Sequence, residues 1–185
     1  MSSNLYEGSI PPAIFHDNQV FSHTISVIVD NEAGVLARVV GLFSGRGYNI
    51  ESLTVSEIDK ISQLSRINLV TSGTTQIIEQ IKAQLGRLVP VHSVIDLTSK
   101  GPSVSRELAL VRVDVKSEFI EDLFKISRIF TCKIVGSEKN SYVFEIIGKT
   151  ARINAFIELV SQIGSCEISR TGIVAISISR DREDK

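Results

Sequence analysis

The sequence predicts an α+β protein built from two tandem ferredoxin-like domains, each with the element order βαββαβ. Two observations support this prediction. The same succession of periodic segments occurs twice within 185 residues, and a stretch containing Gly, Pro and Ser separates the two copies. Alternating apolar residues indicate half-buried strands, whereas apolar residues spaced by three and four indicate helices. This order favours a four-stranded antiparallel sheet with two helices on one face.

The first repeat opens with a half-buried strand that is followed by an amphipathic helix. His23–Asp30 alternates apolar and polar residues, and Gly34–Arg46 carries its apolar residues at helical spacing. Gly47 follows the last periodic residue, where a glycine commonly ends a helix. The remaining elements are predicted as two strands, a helix and a closing strand: Asn49–Glu57, Leu64–Thr71, Thr74–Leu88 and Val91–Leu97.

The second repeat follows a stretch without apolar periodicity. Thr98–Glu107 contains Gly, Pro and Ser residues, a composition that predicts a linker. The same order of elements then returns, with one more strand at the end. The predicted elements are Leu108–Val115, Ile120–Phe130, Cys132–Gly136, Tyr142–Ile147, Arg152–Ile163, Cys166–Arg170 and Ile173–Ser179.

These repeats divide the chain into two domains with connecting and terminal segments. Linkers and termini are expected where periodicity stops and polar residues accumulate. The predicted divisions are a flexible arm at 1–21, a first domain at 22–98, a linker at 99–106, a second domain at 107–180 and a charged tail at 181–185.

One face of each predicted sheet has no helix to cover it. Ile28, Val70, Val113 and Ile176 occupy alternate positions that we assign to these open faces. Domains of this size bury little surface on their own. We therefore expect two copies of the chain to pair as a dimer.

Composition limits the classes of partner and location. Twenty Lys and Arg residues nearly balance 21 Asp and Glu residues, so the overall charge does not favour an anionic partner. No uninterrupted apolar run approaches the length of a membrane-spanning helix, and the first residues lack the pattern of a secretion signal. The two cysteines have no metal-binding spacing. We expect a cytoplasmic protein that binds neither membrane nor nucleic acid.

The turn after the first strand raises the question of phosphate binding or catalysis. A phosphate loop needs Gly-x-x-x-x-Gly-Lys-Ser/Thr after a strand, and "NEAGVLAR" has one glycine and no lysine. His16, His23 and His92 have no nucleophile or carboxylate at a catalytic spacing in the sequence. The chain also lacks a basic stripe and the aromatic residues of an RNA-binding sheet. We expect no catalytic residues and no metal site.

The same turn can hold an anion at the start of a helix. The amides of Gly34, Val35 and Leu36 have no intrahelical partners, and the helix dipole favours negative charge there. Gly34 allows a close approach to the backbone, and Asn31 can both donate and accept. Val35, Leu36 and Ile50 would enclose a small aliphatic group, as a free amino acid requires. The alternative is an Asn/Asp turn that only caps the helix.

The stretch that contains this turn resembles a known family. "NEAGVLARVVGLFSGRGYNIESL", together with the ending "RTGIVAISISR", is similar to the small, regulatory subunit of acetolactate synthase (acetohydroxyacid synthase), whose N-terminal part is an ACT domain. The resemblance extends over about Phe21–Arg180. Ala33 stands where some members have Ser, and the segment "EIDKISQLSR" also departs from the family's usual wording.

This resemblance implies a non-catalytic subunit. Its large partner binds thiamine diphosphate, Mg²⁺ and FAD, and condenses two pyruvates or pyruvate with 2-oxobutyrate. The small subunit raises the partner's activity and makes it sensitive to valine or another branched-chain amino acid. In the family the effector lies between the ACT domains of a dimer. Carried onto this chain, one protomer would supply Asn31, Gly34, Val35 and Leu36, and the other Asn49 and Ile50. The alternative function is a stand-alone amino-acid sensor that regulates another enzyme or transcription.

Overall fold

The computed structural model describes residues 19–179, which form two units, each with its own sheet. The N-terminal unit consists of β1 (Phe21–Asp30), α1 (Val35–Arg46), β2 (Ser52–Asp59), β3 (Leu64–Gly73), α2 (Thr75–Leu85) and β4 (Val91–Asp96). The C-terminal unit consists of β5 (Ser103–Val115), a 3-10 turn (Ser117–Phe119), α3 (Ile120–Ile129), β6 (Lys133–Glu138), β7 (Ser141–Gly148), α4 (Thr150–Ser161), β8 (Gly164–Arg170) and β9 (Val174–Ser177). Residues 1–18 of the predicted arm (1–21) and the predicted tail at 181–185 lie outside the described residues.

The two units share one sheet topology. The strand orders are β2-β3-β1-β4 and β6-β7-β5-β8, and all neighbours in both sheets are antiparallel. The first strand of each unit is therefore central, while its second and fourth strands form the edges. The prediction of two tandem ferredoxin-like βαββαβ units is confirmed.

Each unit has a separate apolar core between its sheet and its two helices. In the N-terminal unit, alternate residues of β1 meet the apolar faces of α1 and α2, and the fully buried side chains include Ile25, Val27, Val39, Phe43, Ile81 and Leu85. In the C-terminal unit the corresponding residues include Ala109, Val111, Leu123, Phe144, Ile153 and Phe156. Burial of each of the larger apolar side chains stabilises its unit by about 1.5–3 kcal/mol.

Glycines bound the helix α1 at both ends. Gly34 precedes it with φ 88°, and Gly47 follows it with φ 70°. The amide of Gly47 donates to the carbonyl of Ser44 (3.3 Å), and the amide of Tyr48 donates to the carbonyl of Phe43 (3.0 Å). These bonds satisfy carbonyls that the end of a helix leaves unpaired. The predicted helix end at Gly47 is confirmed. The same turn sets the direction of the chain from Tyr48 onward.

The predicted linker is wrong over its second half. β5 begins at Ser103, well inside the predicted linker, and residues Ser103–Arg106 pair with β9 through the register Ser103↔Ser177 to Arg106↔Val174. The start of β5 and β9 together form a two-stranded ribbon that is largely exposed. The sequence pattern did not predict this pairing because the start of β5 lacks the alternation of buried and exposed residues that indicates a strand. The division of the chain into domains at 22–98 and 107–180 stays a prediction.

The ribbon of β5 and β9 covers part of the open face of the N-terminal sheet. β9 contacts β1, Ala175 of β9 is 3 % exposed, and Val70 on the open face is 4 % exposed. Burial of this face therefore occurs within one chain. Ile176 is 55 % exposed. The assignment of Val113 to an open sheet face is wrong, because Val113 is fully buried in the core of the C-terminal unit. Its neighbours Val111 and Val115 share the helix-covered face.

No helix among residues 19–179 combines the length and apolar character that crossing a bilayer requires.

Replacing Gly41 by Ala is expected to stabilise the protein. Gly41 lies in the interior of α1, is exposed, and has no atom within 4 Å of the position that a Cβ would occupy. Alanine should add about 0.5–1 kcal/mol to the free energy of unfolding because it loses less backbone entropy than glycine. Urea unfolding of the two chains measures this difference.

The matched change Gly164→Ala is expected to have the opposite sign. A Cβ at Gly164 would lie 2.5 Å from the carbonyl oxygen of Asp114 and 2.7 Å from Val115 Cγ1. We expect a loss of about 1–3 kcal/mol, since the neighbouring strand must move to accommodate it. Equal effects of the two substitutions would contradict this description of the backbone.

Candidate functional site

The candidate site begins where β1 ends and α1 starts. Residues 31–34 join these two elements, and Gly34 adopts a left-handed conformation with φ 88° and ψ −8°. The space beside Gly34 is open, because no atom lies within 4 Å of a Cβ built there. A left-handed φ together with open space allows a ligand to approach the backbone at this point.

The first turn of α1 presents amides that have no partner. The amide of Val35 makes only a long bond to the carbonyl of Glu32 (3.4 Å), while the amides of Gly34 and Leu36 donate to no acceptor within residues 19–179. No side chain caps this helix, and its first turn holds no acidic residue. The partial positive charge of the helix end is therefore left uncompensated.

This arrangement argues against a turn that only caps the helix. Asp30 Oδ1 lies 2.6 Å from His92 Nε2, and the Asp30 carboxylate does not cap the helix. Asn31 is exposed, and its backbone amide donates to the carbonyl of Gln63 (2.6 Å). An incoming carboxylate can take the place that a capping side chain usually occupies.

The predicted site residues are divided between side-chain and backbone roles. Leu36 is 40 % exposed and can contact a ligand with its side chain. Val35 is 3 % exposed and packs into the core, so only its backbone faces the turn. The Val35 side chain therefore does not form part of an aliphatic pocket wall within this chain, because it points into the core while that of Leu36 lies on the exposed side of the helix.

Asn49 and Ile50 lie beyond the opposite end of α1. The twelve residues of α1, a length of about 18 Å at 1.5 Å per residue, lie between Gly34 and these two residues. The carbonyl of Asn49 accepts from Thr71 Oγ1 (2.7 Å), its side chain is exposed, and Ile50 packs partly against the core. One chain therefore does not bring Asn49 and Ile50 next to Gly34.

Two histidine–aspartate pairs occur that the sequence spacing could not reveal. His23 Nδ1 lies 2.8 Å from Asp96 Oδ2, and both side chains are largely buried. Asp96 also accepts from Ser99 Oγ (2.8 Å) and from the amide of Thr98 (2.9 Å). This cluster ties the start of β1 to the end of β4. Within residues 19–179, no three His, Cys, Asp or Glu side chains form a group that could hold a metal ion.

A cleft of about 580 Å³ opens between the two units. Its lining comes from both units: Ser22, Glu51, Ser52, Leu53, Val70, Glu107, Thr150, Arg170, Thr171, Gly172 and Ile173. Glu107 and Arg170 form a bidentate ion pair at the C-terminal wall, with Nε–Oε1 2.6 Å and Nη2–Oε2 2.8 Å. Arg170 Nη1 also donates to Asn154 Oδ1 (2.8 Å), which fixes the guanidinium in position.

Acid is expected to destabilise the fold through Asp96 and Glu107. Burial raises the pKa of Asp96, but hydrogen bonds from Ser99, Thr98 and His23 together outweigh it and leave this pKa lowered. The hydrogen bond from Arg170 lowers the pKa of Glu107 against its burial. Because both folded pKa values are below the ordinary ones, this stability is present at neutral pH and is lost as pH falls through the lowered values.

Urea unfolding between neutral pH and strongly acidic pH measures this loss. Ser99→Ala removes one hydrogen bond to Asp96 and should reduce the dependence on pH, while leaving the Glu107 contribution in place. An unchanged unfolding free energy across the acid range would contradict the assignment.

Comparisons with known proteins match both units. A family profile described as an AHAS small subunit-like ACT domain matches residues 25–93, and one described as the small subunit of acetolactate synthase matches residues 106–179. The probable acetolactate synthase small subunit of Archaeoglobus fulgidus is 42 % identical over 154 residues, covering 83 % of this chain and 95 % of that protein. The isozyme 3 small subunit of Escherichia coli is 36 % identical, with coverage of 83 % and 93 %.

A solved structure gives the same result for the fold. The crystal structure of the acetolactate synthase small subunit from Thermotoga maritima has a TM-score of 0.75 and 36 % identity, and the match covers 84 % of this chain and 96 % of that one. Fold, turn and profile together define an ACT-domain protein with a second ferredoxin-like unit behind the ACT domain. The chain belongs to the acetolactate synthase small-subunit family, and it is a regulatory subunit in the branched-chain amino-acid pathway.

Proposed function

We propose that this chain activates the thiamine-diphosphate-dependent catalytic subunit of acetolactate synthase and confers feedback inhibition by valine or another branched-chain amino acid. The observation that carries the proposal is the open start of α1, with the unpaired amides of Gly34 and Leu36, in a member of this family. Catalysis, with thiamine diphosphate, Mg²⁺ and FAD, is assigned to the large partner. The cytoplasmic location stays a prediction.

The chemistry of the turn suits the carboxylate of a free amino acid. The two amides and the helix dipole stabilise a negative group that binds beside Gly34. Asn31 is exposed close to them in the chain and can accept from the ligand's ammonium group. The exposed Leu36 offers apolar surface to a short aliphatic side chain.

The site needs a second chain to be complete. Asn49 and Ile50 lie at the far end of α1, so within one chain they do not meet the turn, whereas two copies whose α1 helices run side by side in opposite directions would bring them to it. We propose such a homodimer of ACT domains, in which Asn31, Gly34, Val35 and Leu36 of one copy face Asn49 and Ile50 of the other. Two equivalent sites follow from the twofold symmetry.

Inhibition follows if the effector favours one arrangement of the assembly. A ligand shifts an equilibrium only by the difference between its affinities for the two states. A site between two chains can sense their relative position, and a coupling of about 1–3 kcal/mol gives roughly 5–150-fold regulation. The effector therefore has to bind the less active arrangement more tightly.

The proposal is tested by titrating the purified chain into the catalytic subunit, with and without valine, leucine and isoleucine. We expect acetolactate formation to rise with added chain, and one of the three amino acids to reverse this increase. The isolated chain should form no acetolactate from pyruvate. Absence of any effect on the catalytic subunit would overturn the proposal and favour a stand-alone sensor.

A further inference from the structure

The loop that joins β8 to β9 is bound to the start of β2 in the ACT domain. The amide of Ile173 donates to Ser52 Oγ (2.9 Å), and Thr54 Oγ1 donates to the carbonyl of Ile173 (3.2 Å). We call this group of residues, Ser52, Thr54 and Thr171–Ile173, the interdomain clasp. It includes part of the "RTGIV" stretch, to which the effector site gives no role.

Gly172 permits the close approach on which the clasp depends. Its φ is +82°, and a Cβ built there would lie 2.5 Å from Ser52 Oγ and 3.4 Å from Thr54 Cγ2. A Cβ at this position would force Ser52 Oγ to move, and that oxygen is the acceptor of the Ile173 amide. The hydrogen bond between Ser52 and Ile173 therefore depends on a glycine at position 172.

The clasp is anchored firmly on the C-terminal side. The amide of Thr171 donates to the carbonyl of Leu108 (3.0 Å), and the amide of Leu108 donates to Thr171 Oγ1 (3.1 Å). Arg170, the preceding residue, is fixed by its ion pair with Glu107. A movement of Ile173 is thus transmitted to β5, a central strand of the C-terminal sheet, and to β8, an edge strand of the same sheet.

On the other side, the clasp adjoins one half of the proposed effector site. Ser52 is the first residue of β2 and follows Asn49 and Ile50 by three and two positions. The amide of the intervening Glu51 donates to the carbonyl of Val70 (2.8 Å), and the Glu51 carboxylate accepts from Ser22 Oγ (3.4 Å) and from Ser72 Oγ. If a ligand displaces Asn49 and Ile50, the movement can reach Ser52 through one hydrogen-bonded residue, Glu51.

The surroundings leave room for the two units to move about this contact. The cleft of about 580 Å³ lies beside the clasp, with Glu51 and Leu53 on one wall and Glu107 and Thr150 on the other. Two side-chain hydrogen bonds hold Ile173 to β2. Contacts of this kind are easily exchanged between two arrangements.

We propose that the interdomain clasp carries the effector's signal from the ACT domain to the C-terminal unit. This inference rests on the proposed function. When an effector holds Asn49 and Ile50, the start of β2 changes position, and the clasp moves the C-terminal unit with it. Ser52 and Gly172 are therefore positioning residues that contact no effector, and they determine how much of its binding energy reaches the partner.

Gly172→Ala tests this role when the effector's affinity and its inhibition are measured separately. Calorimetry on the variant alone should give the wild-type dissociation constant for valine, and activation of the catalytic subunit should persist. The concentration of valine that half-inhibits the complex should rise about tenfold or more, within the range of typical allosteric coupling. A merely structural role would change activation and inhibition together.

Gly101→Ala is the matched control for backbone strain. Gly101 also has a positive φ (+87°), but nothing lies within 4 Å of its Cβ position. It should keep wild-type inhibition. Ser52→Ala, which removes the acceptor of the Ile173 amide, should uncouple as Gly172→Ala does, and the double variant should lose no more than either single variant, since one change already opens the clasp.

The outcomes separate this inference from the function on which it rests. If the wild-type complex does not respond to any branched-chain amino acid, the proposed function fails. If the wild type responds and Gly172→Ala is inhibited at the same concentration, the clasp does not carry the signal. Equal loss of inhibition in Gly101→Ala and Gly172→Ala would likewise overturn it.

Discussion

A chain carrying Gly34→Asp is expected to activate the catalytic subunit while leaving it insensitive to valine. Aspartate tolerates a left-handed φ better than most residues, and the space around Gly34 is open, so the fold should accept the change. The new carboxylate can cap the free amides of the first turn and then repel the carboxylate of the effector. The full regulatory factor of roughly 5–150-fold should be lost.

Gly34→Ala separates the effect of charge from the effect of backbone strain. Alanine at φ 88° is strained but carries no charge, and we expect it to destabilise α1 by about 1 kcal/mol while retaining feedback inhibition. Valine titration of both reconstituted complexes measures the difference. A Gly34→Asp complex with wild-type sensitivity would show that the effector does not bind at this turn.

Phe43→Ala is expected to lower the free energy of unfolding by about 3–5 kcal/mol, a large part of the stability of a domain. Phe43 is 1 % exposed in the core between α1 and the sheet, and its ring meets that of Tyr48 edge to face at 6.0 Å. The carbonyl of Phe43 also accepts from the amide of Tyr48. Losing the ring therefore also loosens the turn that leads to Asn49 and Ile50.

The conservative variant Phe43→Leu keeps an apolar side chain in the same space. It should cost less than the alanine variant and preserve more of the response to the effector. Urea unfolding and valine titration, carried out on both variants, test the two parts of this prediction. If Phe43→Ala left both stability and inhibition unchanged, the described packing of Tyr48 would be wrong.

Local patterns were sufficient to predict most of the fold. α1 carries its buried residues at helical spacing and ends at a glycine, and β1 has its buried apolar residues Ile25, Val27 and Val29 at alternate positions, so each element could be identified from its own sequence. The repeated order then predicted the shared topology. The two free cysteines, Cys132 beside β6 and Cys166 in β8, lie at opposite edges of the C-terminal sheet.

Features that depend on contacts between distant segments could not be predicted in this way. β5 has apolar residues on both faces, since Leu108 and Leu110 alternate with Ala109 and Val111, and its periodicity could not assign Val113 to the helix-covered side. The start of β5 depends on pairing with β9. The Ser52–Ile173 hydrogen bond and the His23–Asp96 pair join residues far apart in the chain.

The candidate site shows the same division. Gly34 and the start of α1 could be predicted from the sequence, which left open whether the turn binds an anion or only caps the helix. The pairing of this turn with Asn49 and Ile50 came from family resemblance, because within one chain a helix of twelve residues separates them. The proposed association of two copies would involve surfaces that no single-chain pattern describes.

Mixing two defective chains tests the central claim, a site shared between two copies, most directly. Gly34→Asp and Asn49→Ala chains, carrying different tags, are co-expressed, and the mixed dimers are reconstituted with the catalytic subunit. Each variant alone should be insensitive to valine. In a mixed dimer one site holds both changes and the other holds neither, so sensitivity should return. Mixed dimers that remain insensitive, or an Asn49→Ala dimer that responds as the wild type does, would contradict a site built from both chains.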